Sequence, residues 1–194
     1  MTIHEDKQWE GGMLGSFASF VFLDFYYTKP LPMTQVIFGA FDTLSHCYET
    51  YLGSPRVPNL SDQIDESVMR VAIKNMRKLK VNEQDFEARS ELMWASSITE
   101  NGILKIGKVT DFQAHQIEHR LGAYTDCNHD QGLAVIHPVL YRHMVKEGLD
   151  QFAHLAKEVW KVDDTNKTKE EVALEGIEAL ANFIKEMGLP TSLT

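Results

Sequence analysis

The chain has only two cysteines, six prolines, no surplus of cations and no long unbroken apolar run. Cys47 and Cys127 are too few for a disulfide framework. Both are read as reduced thiols, and the protein as cytoplasmic. The most apolar stretch, Met13 to Tyr27, is interrupted by Asp24 and falls short of the roughly 20 residues that cross a bilayer. The opening MTIHEDKQWE carries acids where a signal peptide needs a basic region followed by an apolar one. Nineteen lysines and arginines against 28 aspartates and glutamates leave a net charge of -9. That balance excludes nucleic acid and an anionic membrane surface as partners, since both need a basic patch. No repeat or low-complexity tract is present.

What remains is a chain of 194 residues with 43% hydrophobic content, enough to close one core. Ser16 to Asp24, rich in Phe and Val, reads as a single strand. After Pro30 and Pro32 the pattern is helical almost to the end. Met33 to Leu52 places Val36, Ile37, Ala40, Phe41 and Leu44 on one face. Ser61 is the expected cap of a helix running to about Leu79, and Asn82 or Asp85 opens another to about Ile103. Asp111 is the expected cap of a helix that ends at Gly122. His129 to Val145, expected to kink at Pro138, Asp150 to Trp160 and Lys169 to Met187 complete the set. A lone strand cannot satisfy its own ladder bonds, so it is expected to join a sheet outside this chain. The reading is therefore all-α: residues 33–194 form a multi-helix domain, C-terminally truncated, and residues 1–32 are an edge remnant of another domain.

The histidines are the informative feature. Asp42 and His46 are four apart on a predicted helix and share a face, and His115 and His119 repeat that spacing. His129 follows His115 by fourteen residues. One carboxylate with neutral imidazoles from two helices suits a divalent transition metal such as Fe2+ or Zn2+. A single D-x-x-x-H pair is more commonly a surface contact, so pattern alone leaves both readings open. HQIEH is not the zinc-protease H-E-x-x-H, because Gln116 stands in the second position.

GAFDTLSHCYETYL (Gly39 to Leu52) resembles the G-x-x-D-x-x-x-H-x-x-E segment of the iron-containing alcohol dehydrogenase superfamily. DFQAHQIEHRLGAYTDCNHDQGLAV (Asp111 to Val135) resembles that family's H-x-x-x-H and H-G segments. LDFYYTKPLPMTQVIFGAFDTLSH and WASSITENGILKIGK are similar to its butanol dehydrogenase-like branch. The resemblance implies a dehydroquinate synthase-like helical domain with Asp42, His46, His115 and His129 as metal ligands. It implies that His119 lies near the substrate and moves a proton. It also implies a small alcohol or aldehyde substrate, Fe2+ or Zn2+, and NAD(P)H held by a domain absent here. The remaining histidines, His4, His137, His143 and His154, match no functional position, and Cys47 and Cys127 are read as packing or turn residues.

There are departures. No glycine-rich dinucleotide unit surrounds GGMLGS, Asp24 is followed by Phe25 where the family has Pro, and Asp130 follows His129 where Gly is usual. The implied chemistry is Lewis-acid polarisation of an alcohol or carbonyl oxygen during hydride transfer. The isolated chain is expected to be inactive, and to self-associate or to pair with the missing nucleotide-binding domain. Two alternatives stand beside this one. His129-Asp130 forms the HD dipeptide of metal-dependent phosphohydrolases, and a non-catalytic metal-binding remnant would keep the ligands without turnover.

Overall fold

In the computed structural model, residues 18–56 and 59–193 are described in full, together with the backbone of two short N-terminal strands. These strands, β1 (Thr2–His4) and β2 (Trp9–Gly11), pair antiparallel with Ile3 opposite Glu10.

The strand expected over Ser16 to Asp24 is not formed by its described residues, 18–24. Ser16 and Phe17 lie outside the described residues, and residues 18–24 have no ladder partner among the described ones. Phe20 and Phe22 stand 84% and 92% exposed. A β-rich composition is not enough without a neighbouring edge to accept the backbone. Asp24 instead caps a 3-10 turn, Phe25–Thr28, by accepting from the Tyr26 N–H at 2.9 Å.

Among the described residues seven α-helices follow: α1 (Met33–Tyr51), α2 (Leu60–Val81), α3 (Phe86–Glu100), α4 (Gln113–Thr125), α5 (His129–Met144), α6 (Leu149–Glu158) and α7 (Lys169–Glu186). No helix among the described residues is long and apolar enough to cross a membrane. Helix α1 is the centre, packed by α2, α3 and α5, while α7 joins α5 to α6. It buries Phe41, Leu44, Cys47 and Tyr48, and each large apolar side chain so removed from water contributes about 1.5–3 kcal/mol. Helices α6 and α7 meet so closely that a Cβ on Gly176 would sit 2.4 Å from that of Ala156.

Three boundaries differ from the sequence reading. Helix α2 is capped by Asn59, which shares a capping box with Asp62, while Ser61 turns away and donates to the Ile106 carbonyl at 3.0 Å. Helix α4 runs past Gly122, and the left-handed residue that ends it is Asp126 (φ 54°). Asp111 does not cap α4; its carboxylate accepts from the side chain of Gln113.

The loop ahead of α4 is tied beneath the C-terminal end of α1. Ser54 and Val109 exchange backbone hydrogen bonds at 2.8 and 2.7 Å. Gly53 permits this, since a Cβ there would meet the Val109 carbonyl at 2.4 Å. Lys108, its side chain wholly buried, reaches the Tyr51 carbonyl at 2.8 Å and pairs with the Asp62 carboxylate. Asp111 N–H donates to the Glu49 carbonyl at 3.1 Å. These ties set α4, and with it His115, against the middle of α1.

Candidate metal centre

Asp42 and His46 project from one face of α1, four residues apart. His115 lies in the first turn of α4, His119 one turn later, and His129 is the first residue of α5. Helices α4 and α5 form a tight helical hairpin, and Asn128 caps α5 by accepting from the Asp130 and Gln131 N–H groups. The hairpin brings His115 and His129 back toward Asp42.

The Nε2 atoms of His46, His115 and His129 stand 3.7, 3.6 and 3.5 Å from one atom, Asp42 Oδ1. Asp42, His115 and His129 each offer one ligand atom, all within 4.8 Å of one another. His46 joins this trio through Asp42 and through its ring, 4.3 Å from that of His115. These separations are too long for hydrogen bonds. They match the spacing of about 3.4 Å between neighbouring ligands of a tetrahedral ion with bonds near 2.1 Å. Asp42 Oδ1 and His115 Nε2 are buried with no hydrogen-bond partner, a costly state that a bound cation would relieve. The donor set, one carboxylate oxygen and three imidazoles, suits Fe2+ or Zn2+.

A glutamate stands behind each imidazole, hydrogen-bonded to His115 and His129 and at ion-pair distance from His46. His46 Nδ1 lies 2.9 Å from Glu100 Oε1, His115 Nδ1 meets Glu49, and His129 Nδ1 meets Glu118. Such partners fix the tautomer and ring orientation of a metal-binding histidine. Sequence reasoning assigned none of the three a role. Glu49 carried a signal, the final position of D-x-x-x-H-x-x-E on the same face as Asp42 and His46. Glu118 stands three residues after His115, while Glu100 on α3 had no local mark.

The field of the centre is anionic. Burial opposes charge on Asp42, but His115, His129 and His46 outweigh it and hold the carboxyl below its usual range. His46 holds Glu100 down as well. Burial works against the imidazolium of His129, yet Asp42 and Glu118 beside it push its pKa up to about 10. Four carboxylates against three imidazoles favour a bound positive charge, be it protons or a divalent ion.

His119 is half-buried, and its ring stacks on that of His129 at 5.3 Å. Asp130 stands beside His129 but outside both metal-capable groups found among the described residues, the second being Glu118, His119 and His129. Burial, then the nearby Asp42, raise its carboxyl pKa. Phe112 walls the site, its ring 5.3 Å from His46 and 5.1 Å from His115. His137 is core, His143 is exposed, His154 pairs with Glu66 at 3.2 Å, and the side chain of His4 lies outside the described residues. Cys47 is buried behind α1 near Thr99.

The model of the Fe-containing alcohol dehydrogenase family, C-terminal, matches residues 36–194. The chain belongs to this family. The NADH-dependent butanol dehydrogenase A of Clostridium acetobutylicum is 34% identical over 175 residues, covering 90% of this chain and 45% of that protein. The solved aldehyde reductase YqhD of E. coli superposes with a TM-score of 0.82 at 29% identity, covering 88% of this chain and 44% of that one. The NADH-dependent butanol dehydrogenase A of Thermotoga maritima gives 0.82 at 33% identity, covering 88% and 42%. The chain thus spans less than half the length of these relatives. The fold of this iron-containing alcohol dehydrogenase segment is the helical one that its motifs implied.

Proposed function

We propose that this chain is the metal-holding helical portion of an NAD(P)H-dependent alcohol dehydrogenase or aldehyde reductase, with a small alcohol or aldehyde as substrate. The observation that carries the reading is the convergence of His46, His115 and His129 Nε2 on Asp42 Oδ1. The names of relatives, NADH-dependent butanol dehydrogenase and NADPH-dependent aldehyde reductase, support the substrate and cofactor classes.

Asp42, His46, His115 and His129 would hold Fe2+ or Zn2+. When bound, the ion supplies Lewis acidity toward the alcohol or carbonyl oxygen, while a nicotinamide exchanges the hydride. Asp42 contributes the single negative charge among the ligands, and neutral imidazoles leave the ion its electrophilicity. Glu49, Glu100 and Glu118 keep the imidazoles aimed inward. His119 is assigned the proton of the substrate hydroxyl, which it takes in oxidation and returns in reduction. Phe112 excludes water from one side.

Residues 33–194 would be the metal-binding unit, and residues 1–32 would lie along the nucleotide-binding part. No dinucleotide-binding strand–turn–helix unit occurs among the described residues, so this chain by itself is assigned no turnover. The exposed strip Phe20, Val21, Phe22, Leu23, Tyr26 and Tyr27 is assigned to contact with the nucleotide-binding part or with a second copy.

The test is metal analysis after loading with Fe2+ or Zn2+. One ion per chain is expected, lost in Asp42→Ala and His115→Ala and kept in His143→Ala. Wild-type content in Asp42→Ala would overturn the ligand assignment, and saturable NADH binding would overturn the assignment of the cofactor site elsewhere.

A further inference from the structure

Glu118 occupies a place that the sequence around it is shaped to provide. It is 2% exposed, on the side of α4 that faces α5. Two glycines border it. A Cβ on Gly132 would lie 2.7 Å from Glu118 Cγ, and a Cβ on Gly122 would lie 3.2 Å from its Oε1. Neither glycine has a positive φ, since both sit inside helices. Glycine is the poorest helix former after proline, so backbone conformation does not account for either. Space for the carboxylate does.

The Oε2 atom of that carboxylate meets His129 Nδ1. His129 needs such a hold more than His115 does. It is the first residue of α5, with no preceding helical turn to lean on, and its side chain is 32% exposed against 6% for His115. A ring so placed can present either nitrogen to Asp42.

Resting on the reading that Asp42, His46, His115 and His129 bind a metal, we infer that Glu118, seated in a slot left open by Gly122 and Gly132, is the positioning residue that keeps Nε2 of His129 turned toward Asp42. Glu118 is thereby not itself a ligand, although Glu118, His119 and His129 come within 4.8 Å of one another. The two glycines serve the site without touching it.

The experiment is titration of the full chain with Co2+, with chelator competition for affinity and the cobalt d–d absorption band as a reporter of ligand geometry. Glu118→Ala and Gly132→Ala should each weaken binding about 10- to 100-fold and alter the band, as removal of a partner behind a metal-binding histidine does. Glu118→Gln should lose less, because its side-chain oxygen still accepts from Nδ1–H. Combining Glu118→Ala with Gly132→Ala should cost no more than Glu118→Ala alone, because the added methyl then fills the vacated slot. The Gln and Gly132 arms keep the test valid where Glu118→Ala fails to fold. Wild-type affinity and band in Glu118→Gln and Gly132→Ala, with binding lost in Asp42→Ala, would overturn this inference alone. Two Co2+ per chain, one of them lost in Glu118→Ala with the other unaffected, would also overturn it. No Co2+ binding by the wild-type chain would overturn the ligand reading as well.

Discussion

Glu49 holds the first turn of α4 at three points, two of them on His115, 66 positions away: the carboxylate accepts from the backbone N–H of Ala114 at 2.5 Å and of His115 at 3.2 Å, and it meets His115 Nδ1. One buried side chain on α1 is therefore both the cap of α4 and the anchor of a proposed ligand. Glu49→Ala should cost about 1–3 kcal/mol of stability, the range for leaving buried donors unsatisfied. Glu49→Gln should recover part of it. Urea unfolding of the cation-free protein measures this, and equal stability of wild type and Glu49→Ala would refute the capping role.

Lys108 and Asp62 form an ion pair far from the centre, with side-chain exposures of 0% and 4%. Lys108→Met should destabilise by about 3–5 kcal/mol, because it strands a buried carboxylate. Adding Asp62→Asn should cost much less than the sum of the two single changes. Additive single-mutant costs would show that the pair is not coupled.

His137 is walled by Phe41, Tyr48 and Tyr141, with Ser45 Oγ 2.5 Å from its Nε2. Burial, with His115 nearby, lowers its pKa to about 3, against about 6.5 for an unfolded histidine. Between those values the unfolded chain binds a proton that the folded one refuses. Stability contributed by neutral His137 is thus complete above about pH 6.5 and falls as pH drops, by about 1.4 kcal/mol per unit. From pH 7 to 5 wild type should lose about 2 kcal/mol more than His137→Gln. Parallel pH profiles in denaturant melts would contradict this.

Phe20 and Phe22, exposed and without a ladder, should drive association of the chain at raised concentration. Replacing both with Lys should shift sedimentation toward the monomer. A wild-type chain that remains monomeric over the whole concentration series would remove this expectation.

Legibility in the sequence follows distance along the chain. Asp42 with His46, and His115 with His119, were readable because a helix turns a spacing of four into a shared face. His129 was readable through its place after a turn. The contacts of their glutamates were not, because Glu49 reaches His115 and Glu100 reaches His46 only through the packing of α1 against α4 and α3. Capping shows the same divide. Asp85 caps α3 from next door and was one of two caps expected there. Glu49 caps α4 from another helix, so the local candidate Asp111 was chosen instead. Gly122 was read as a helix end because glycine commonly serves there, whereas its missing Cβ makes room for Glu118. The strand expected over Ser16 to Asp24 misled because its residue types mark a sheet that must be completed by other residues.

Helix α4 leans chiefly on α5, and is fastened to α1 by Glu49 and the loop ahead of it. Its first turn is therefore a part of the molecule that can open without global unfolding. A cation shared between Asp42 and His115 would close that opening, since it grips α1 and α4 at once. Amide protons of Ala114 and His115 should then exchange slowly in the loaded protein and quickly without the ion. The centre that is assigned to chemistry is also a latch on the hairpin that carries half its ligands.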